Sequence, residues 1–129
     1  PDDVVPALQR HMQREGFAKV KVAAAREEPM HATRLDPDSK WVRWAVASIE
    51  RTTGIKPAIL PNLGGSLPNE VFADTLGLPT IWIPHSYSAC SQHAPNEHML
   101  GSIAREGLGI MAGIFWDLGD VETTPSPHV

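Results

Sequence analysis

Cysteine is nearly absent from this 129-residue chain, Cys90 being its only one. An internal disulfide framework is thereby excluded, and a reducing, cytoplasmic compartment is the expectation. Positive charge is scarce as well. The chain has 11 Lys and Arg against 15 Asp and Glu, a formal charge of −4 with neutral histidines. A nucleic-acid binder would show a basic stripe, so no nucleic-acid partner is expected. Long apolar runs are missing: the longest nearly apolar stretch, Gly107 to Trp116, falls short of the roughly 20 residues a membrane span needs. No membrane partner is therefore expected, and no charged-then-apolar leader opens the chain. Neither an internal repeat nor a low-complexity block is present. What remains is a chain about one domain long. Its hydrophobic fraction of 42% suffices for a core and argues against general disorder. The first residues are Pro1-Asp2-Asp3 rather than a methionine and read as a helix opening, so a piece of a longer protein is expected.

Hydrophobic periodicity then divides the chain into elements. A helix is predicted over 4–15, with Val5, Leu8 and Met12 on one face and Gly16 as its stop. Residues 17–25 alternate. Ala18, Val20, Val22 and Ala24 fall on one side and Lys19 and Lys21 on the other, the period of a half-solvated strand. The stretch 26–35 reads as either strand continuation or loop. Asp36-Pro37-Asp38 predicts a helix start, with a carboxylate N-cap and proline in the first turn. That helix runs to Thr53, lines its buried side with Trp41, Trp44, Ala45, Ser48 and Ile49, and ends at Gly54. Lys56 to Leu60 is a short strand broken by Pro61. The order up to this point is α-β-α-β. After the turn-rich 62–68 comes a helix over 69–76 closed by Gly77. Thr80 to Ile83 is expected to be a strand buried on both faces. A loop from His85 to His93 follows, and Pro95-Asn96-Glu97 opens a long helix to Leu118. The tail from Asp120 is expected to fray. The composition change near Pro61 to Gly65 marks the expected boundary, giving domains 1–60 and 61–129 in an α/β fold.

Chemistry concentrates between His85 and His98, which hold three of the six histidines and the cysteine. One reading is a small α/β domain with a closed structural zinc site from His85, Cys90, His93 and His98, since Cys90-x2-His93 has a ligand spacing. Against it, His98 is expected inside the helix and pointing away, and a second close ligand pair is missing. The other reading keeps His93 alone.

Three motifs occur in order: Gly64-Gly65-Ser66-Leu67-Pro68, then Leu76-Gly77-Leu78-Pro79 before a predicted strand, then His93-Ala94-Pro95-Asn96-Glu97 before a long helix. From Gly64 to Leu118 the chain resembles the C-terminal part of a zinc metallopeptidase family. This family comprises acetylornithine deacetylase, succinyl-diaminopimelate desuccinylase, aminoacylase, glutamate carboxypeptidase and the carnosinase-type dipeptidases. Over residues 1–55 only the helix-strand-helix order matches. The resemblance implies part of a two-domain di-zinc exopeptidase-like fold. Residues 1–60 would be the second half of a dimerisation (lid) domain with an α+β arrangement, and 61–129 the C-terminal part of an α/β catalytic domain. It implies that His93 is a zinc ligand; a neutral imidazole leaves zinc electrophilic enough to polarise an amide carbonyl. It also implies that Gly64, Gly65 and Ser66 grip the substrate's terminal carboxylate. Two glycines permit close backbone approach, and a following helix start offers free amides. Ser66 can equally serve as a helix cap, and both roles are compatible.

Carnosinase-type relatives carry an acidic residue directly before Gly-Gly that meets the substrate's free amine. This chain has Leu63, which favours an N-acylated amino acid or a blocked amine. Glu27-Glu28 follows Arg26 rather than a Gly-Asp and reads as a solvated charge pair. Asp36 and Asp38 are capping residues, His11 and His31 surface or internally satisfied histidines, and the tryptophans core. No sequence feature around Cys90 marks it as an activated nucleophile. The family's site uses two zinc ions, further ligands and a general-base glutamate, yet the chain has no His-x-Asp and no Gly-Asp-Glu-Glu motif. No catalytic residue is therefore expected in it, and the general base is expected upstream. The expected function is part of a hydrolase that cleaves an amide or peptide bond of an N-acyl amino acid or small peptide. The expected assembly is a homodimer through the lid. The alternative is a non-catalytic dimerisation module.

Overall fold

Helices supply all the regular structure among the residues that the computed structural model describes, 3–25, 30–120, 122 and 124–126. They are α1 (Val4–Arg14), α2 (Lys40–Thr53) and α3 (Gly101–Leu118), with a single π turn at Val71–Thr75 and a 3-10 turn at Ser88–Cys90 between the last two. No strand occurs among the described residues, which overturns the α/β expectation in both its α+β and catalytic parts. The alternation that suggested strands reports only which side a chain would bury. A strand also requires a neighbour to take its amides and carbonyls. Residues 17–20 instead form a turn, Val20 N–H donating to the Phe17 carbonyl at 2.9 Å, with Phe17 and Val20 both exposed, and 21–25 are irregular. Ile59 and Leu60 in the second expected strand are exposed too. Thr80 to Ile83 has no regular secondary structure. Ile81 and Ile83 are half-buried and Trp82 is exposed, so one side is covered where two were expected. Residues 30–35 are irregular. Arg26, Glu27 and Glu28 lie outside the described residues, so the charge-pair reading has no structural counterpart here.

Two compact units divide the chain, one joining Pro1–Thr33 with Gly64–Gly77 and the other Arg34–Leu63 with Leu78–Val129. In the first, α1 closes as its sequence suggests. Gly16 takes φ 84°, Phe17 N–H reaches the Met12 carbonyl at 2.8 Å and Gly16 N–H that of Gln13 at 3.2 Å. This is the paired 6→1 and 5→2 closure that a left-handed glycine allows. Pro6 does no harm in the first turn, because amides there have no helical acceptor. No residue of α1 is buried. The helix expected over 69–76 is present as one wide turn, closed by Leu76 N–H to the Val71 carbonyl at 3.1 Å.

In the second unit α2 packs on α3. Its N-cap is Ser39, whose Oγ accepts from Val42 N at 3.2 Å, three residues later than expected. Asp36 instead closes the preceding turn, accepting from Asp38 N at 2.9 Å, a local bond that competes with helix capping. Gly54 ends the helix as expected. Ala45 and Ser48 are buried and Trp41, Trp44 and Ile49 half-buried, so the predicted inner face is the observed one. The indoles of Trp41 and Trp44 meet edge to face with centroids 5.7 Å apart. On α3 the covered stripe runs through Ile103, Ala104, Gly107, Ile110, Met111 and Ile114, a helical period. At Gly113 the helices come so close that a methyl group would overlap Thr52 Oγ1 and lie 3.1 Å from its Cβ. Thr124 Oγ1 donates to the Asp117 carbonyl at 3.1 Å, so the tail, expected to fray from Asp120, is tied back to the last turn of α3 at that residue.

Candidate functional site

The segment from Cys90 to His98 is a tight loop, and it explains why α3 begins at Gly101 rather than at Pro95. Ala94 N–H donates to the Ser91 carbonyl at 2.9 Å, Glu97 N–H to that of Ala94 at 3.3 Å, and His98 N–H to that of Cys90 at 3.0 Å. The last bond joins the two ends of the loop at a buried residue. Three non-glycine residues in it take positive φ: Ser91 at 56°, His93 at 62° and Asn96 at 63°. Such conformations are uncommon outside glycine, Asn being the most tolerant. A right-handed helix cannot start through them.

The four candidate metal residues of this region have separate environments. The His85 ring sits on α3, where a Cβ at Gly107 would come 2.9 Å from Nδ1. Cys90 is buried. His98, expected in the helix, precedes it; its Nδ1 lies 2.8 Å from the Asn96 carbonyl, and its ring meets Tyr87 edge-on at 6.1 Å. His93 is exposed. Its backbone amide donates to Glu97 Oε2 at 3.2 Å, whereas its imidazole has no hydrogen bond with any described residue. Among the described residues no three His, Cys, Asp or Glu side chains gather closely enough to hold a metal ion. The donor set thus fits one ligand position and does not by itself fit a zinc ion, which needs several. A shallow cavity of about 310 Å³ beside the loop is lined by Tyr87, Cys90, Gln92, Glu97 and His98 among others.

Gly64, Gly65 and Ser66 belong to the other unit. All three are exposed, and Gly65 has φ 154°. The helical structure expected after them amounts to the short turn Val71–Thr75, and Ser66 does not cap it.

Sequence reasoning passed over Glu97, a carboxylate four residues after the histidine whose amide it binds. The available signal was the Pro95-Asn96 turn between them, which folds the chain back over that spacing.

No family model, no curated protein and no solved structure matches this chain. No helix among the described residues is long and apolar enough to cross a membrane.

Proposed function

We propose that the chain is the C-terminal part of a zinc-dependent hydrolase that cleaves an amide bond of an N-acyl amino acid or small peptide. In this reading His93 is one ligand of a site whose other ligands and general base lie outside this chain. The supporting observation is His93 itself. Its backbone is left-handed and its amide bonds to Glu97, while its imidazole stays exposed and unengaged. His11, with Arg14 at 2.9 Å, and His98 have ring nitrogens already engaged within the chain. A ligand awaiting partners from elsewhere requires a fixed backbone and a free ring. Gly64, Gly65 and Ser66 supply the exposed backbone that the substrate carboxylate would approach, Leu63 disfavours a free-amine substrate, and a homodimer and cytoplasmic location complete the proposal.

The test is steady-state kinetics on an N-acyl amino acid, with zinc content measured, in the longer protein this reading requires. His93→Ala should lose both zinc occupancy and turnover. Ser66→Ala should keep its zinc and lose one hydrogen bond to a charged group, about 1.5 to 3 kcal/mol. That corresponds to roughly a ten- to hundredfold fall in kcat/KM, mostly in KM if ground and transition states are gripped alike. A fully metallated, active His93→Ala enzyme would falsify the ligand assignment. A second reading, a non-catalytic self-associating module, draws on the apolar outer face of α3, where Leu108, Phe115 and Trp116 are all exposed. A longer protein that dimerises without metal and has no hydrolytic activity would favour it.

A further inference from the structure

We infer that Glu97 is a positioning residue for His93, its carboxylate holding the histidine backbone in the left-handed conformation that sets where the imidazole emerges. For its purpose, though not for its geometry, this inference rests on the ligand reading of His93. The left-handed region disfavours a β-carbon, so His93 keeps φ 62° only where its surroundings over-determine it. The surroundings are these. The loop ends are joined by His98 N–H to the Cys90 carbonyl at 3.0 Å. Pro95 fixes its own φ and restricts Ala94 before it, and Asn96 turns the chain at φ 63°. This brings the Glu97 side chain back over His93, and Oε2 accepts its amide hydrogen at 3.2 Å. That bond is the side-chain contact seen on the His93 backbone, and it is charge-assisted, the stronger class of hydrogen bond. The His98 ring is separately held, Nδ1 against the Asn96 carbonyl at 2.8 Å, so the two neighbouring histidines answer to different partners.

The experiment is solution NMR on the full chain as wild type, Glu97→Ala and Glu97→Gln. In Glu97→Ala the His93 coupling constant and Cα shift should move away from left-handed values, and its amide should exchange roughly three- to tenfold faster. Glu97→Gln keeps a side-chain carbonyl acceptor and should restore most of the wild-type signature. The His98 amide, bonded to the Cys90 carbonyl, serves as a control that the loop is still closed. Wild-type His93 signals in Glu97→Ala would overturn the inference, as would a Glu97→Gln chain indistinguishable from Glu97→Ala. The ligand reading is tested apart from this, by the zinc content of His93→Ala in the longer protein. A loosened His93 in Glu97→Ala, together with a fully metallated His93→Ala in that protein, supports the grip and removes the ligand reading.

Discussion

Gly113 shows how little of a close contact is written in one letter. In the sequence it is one glycine in an apolar stretch, yet in the fold it is where α3 meets α2, facing Thr52. Replacing it by alanine raises intrinsic helix propensity by about 1 kcal/mol. The added methyl, however, overlaps Thr52 Oγ1 and lies 3.2 Å from Cγ2. Thr52 cannot simply swing away, because its Oγ1 is bonded to the Ser48 carbonyl at 3.1 Å and its side chain is β-branched. Overpacking costs about 1 to 3 kcal/mol, so the net effect of Gly113→Ala is a loss of stability, read as a lower urea midpoint. Adding Thr52→Ala removes Oγ1 and Cγ2 and should recover much of the loss, a coupling on the order of 0.5 to 3 kcal/mol between the two sites. Independent, additive effects would show that the helices do not meet there. His93 is the opposite case: its type and motif were legible, and its free ring and gripped amide were not.

Element ends that rest on local chemistry were readable, and those set by neighbours were not. The stop of α1 at Gly16 and of α2 at Gly54 follows from glycine's access to the left-handed region. The start of α2 was misplaced because Asp36 and Ser39 are both good caps, and Asp36 is used by its own turn. The start of α3 was misplaced because a loop closed by a distant carbonyl cannot be seen in Pro95-Asn96-Glu97. Between α2 and α3 lies a polar group whose pH response can be stated. Ser48 is fully buried. Its hydroxyl makes no well-formed hydrogen bond, yet it comes near enough to the Asp117 carboxylate to be the main influence lowering its pKa, ahead of the Arg51 guanidinium. Arg51 Nη2 donates to Asp117 Oδ2 at 2.7 Å. A carboxylate held below its ordinary value of 3.8 stabilises the fold at pH above that value, and the stabilisation is lost as pH falls through the lower folded value. The urea midpoint should therefore drop as pH is taken below about 4. Asp117→Asn should show a shallower drop over the same window. Equal acid sensitivity in both chains would place the titrating group elsewhere.

Across the chain as a whole, apolar surface is left uncovered. Among the described residues the buried hydrophobics are Ala45, Cys90 and Ile114, while on α3 Leu108 is 72%, Phe115 70% and Trp116 84% exposed. A helix apolar on both faces is normally covered on both, and large contiguous apolar patches mark contact surfaces or aggregation hazards. The isolated chain should self-associate, its scattering mass rising with concentration. Replacing Leu108, Phe115 and Trp116 together by lysine should suppress the rise without weakening the α2–α3 contact on the other face. A constant monomer mass over a wide concentration range would count against it.

Composition, charge and periodicity marked out the three long helices, the inner face of α2 through Ala45 and Ser48, and a histidine set in a turn. These are properties of neighbours in sequence, where 3.6-residue periodicity, caps and glycine stops act over a few residues. Whether the alternating segments 17–25, 56–60 and 80–83 pair into a sheet depends on partners distant in sequence, and no residue pattern reports whether a partner is in place. The folded chain settled that question against strands. It also brought Thr52 onto Gly113, Ser48 and Arg51 onto Asp117, and Glu97 onto the His93 amide, because each of these meetings depends on a helix crossing or a loop closure rather than on the identity of the residues that meet.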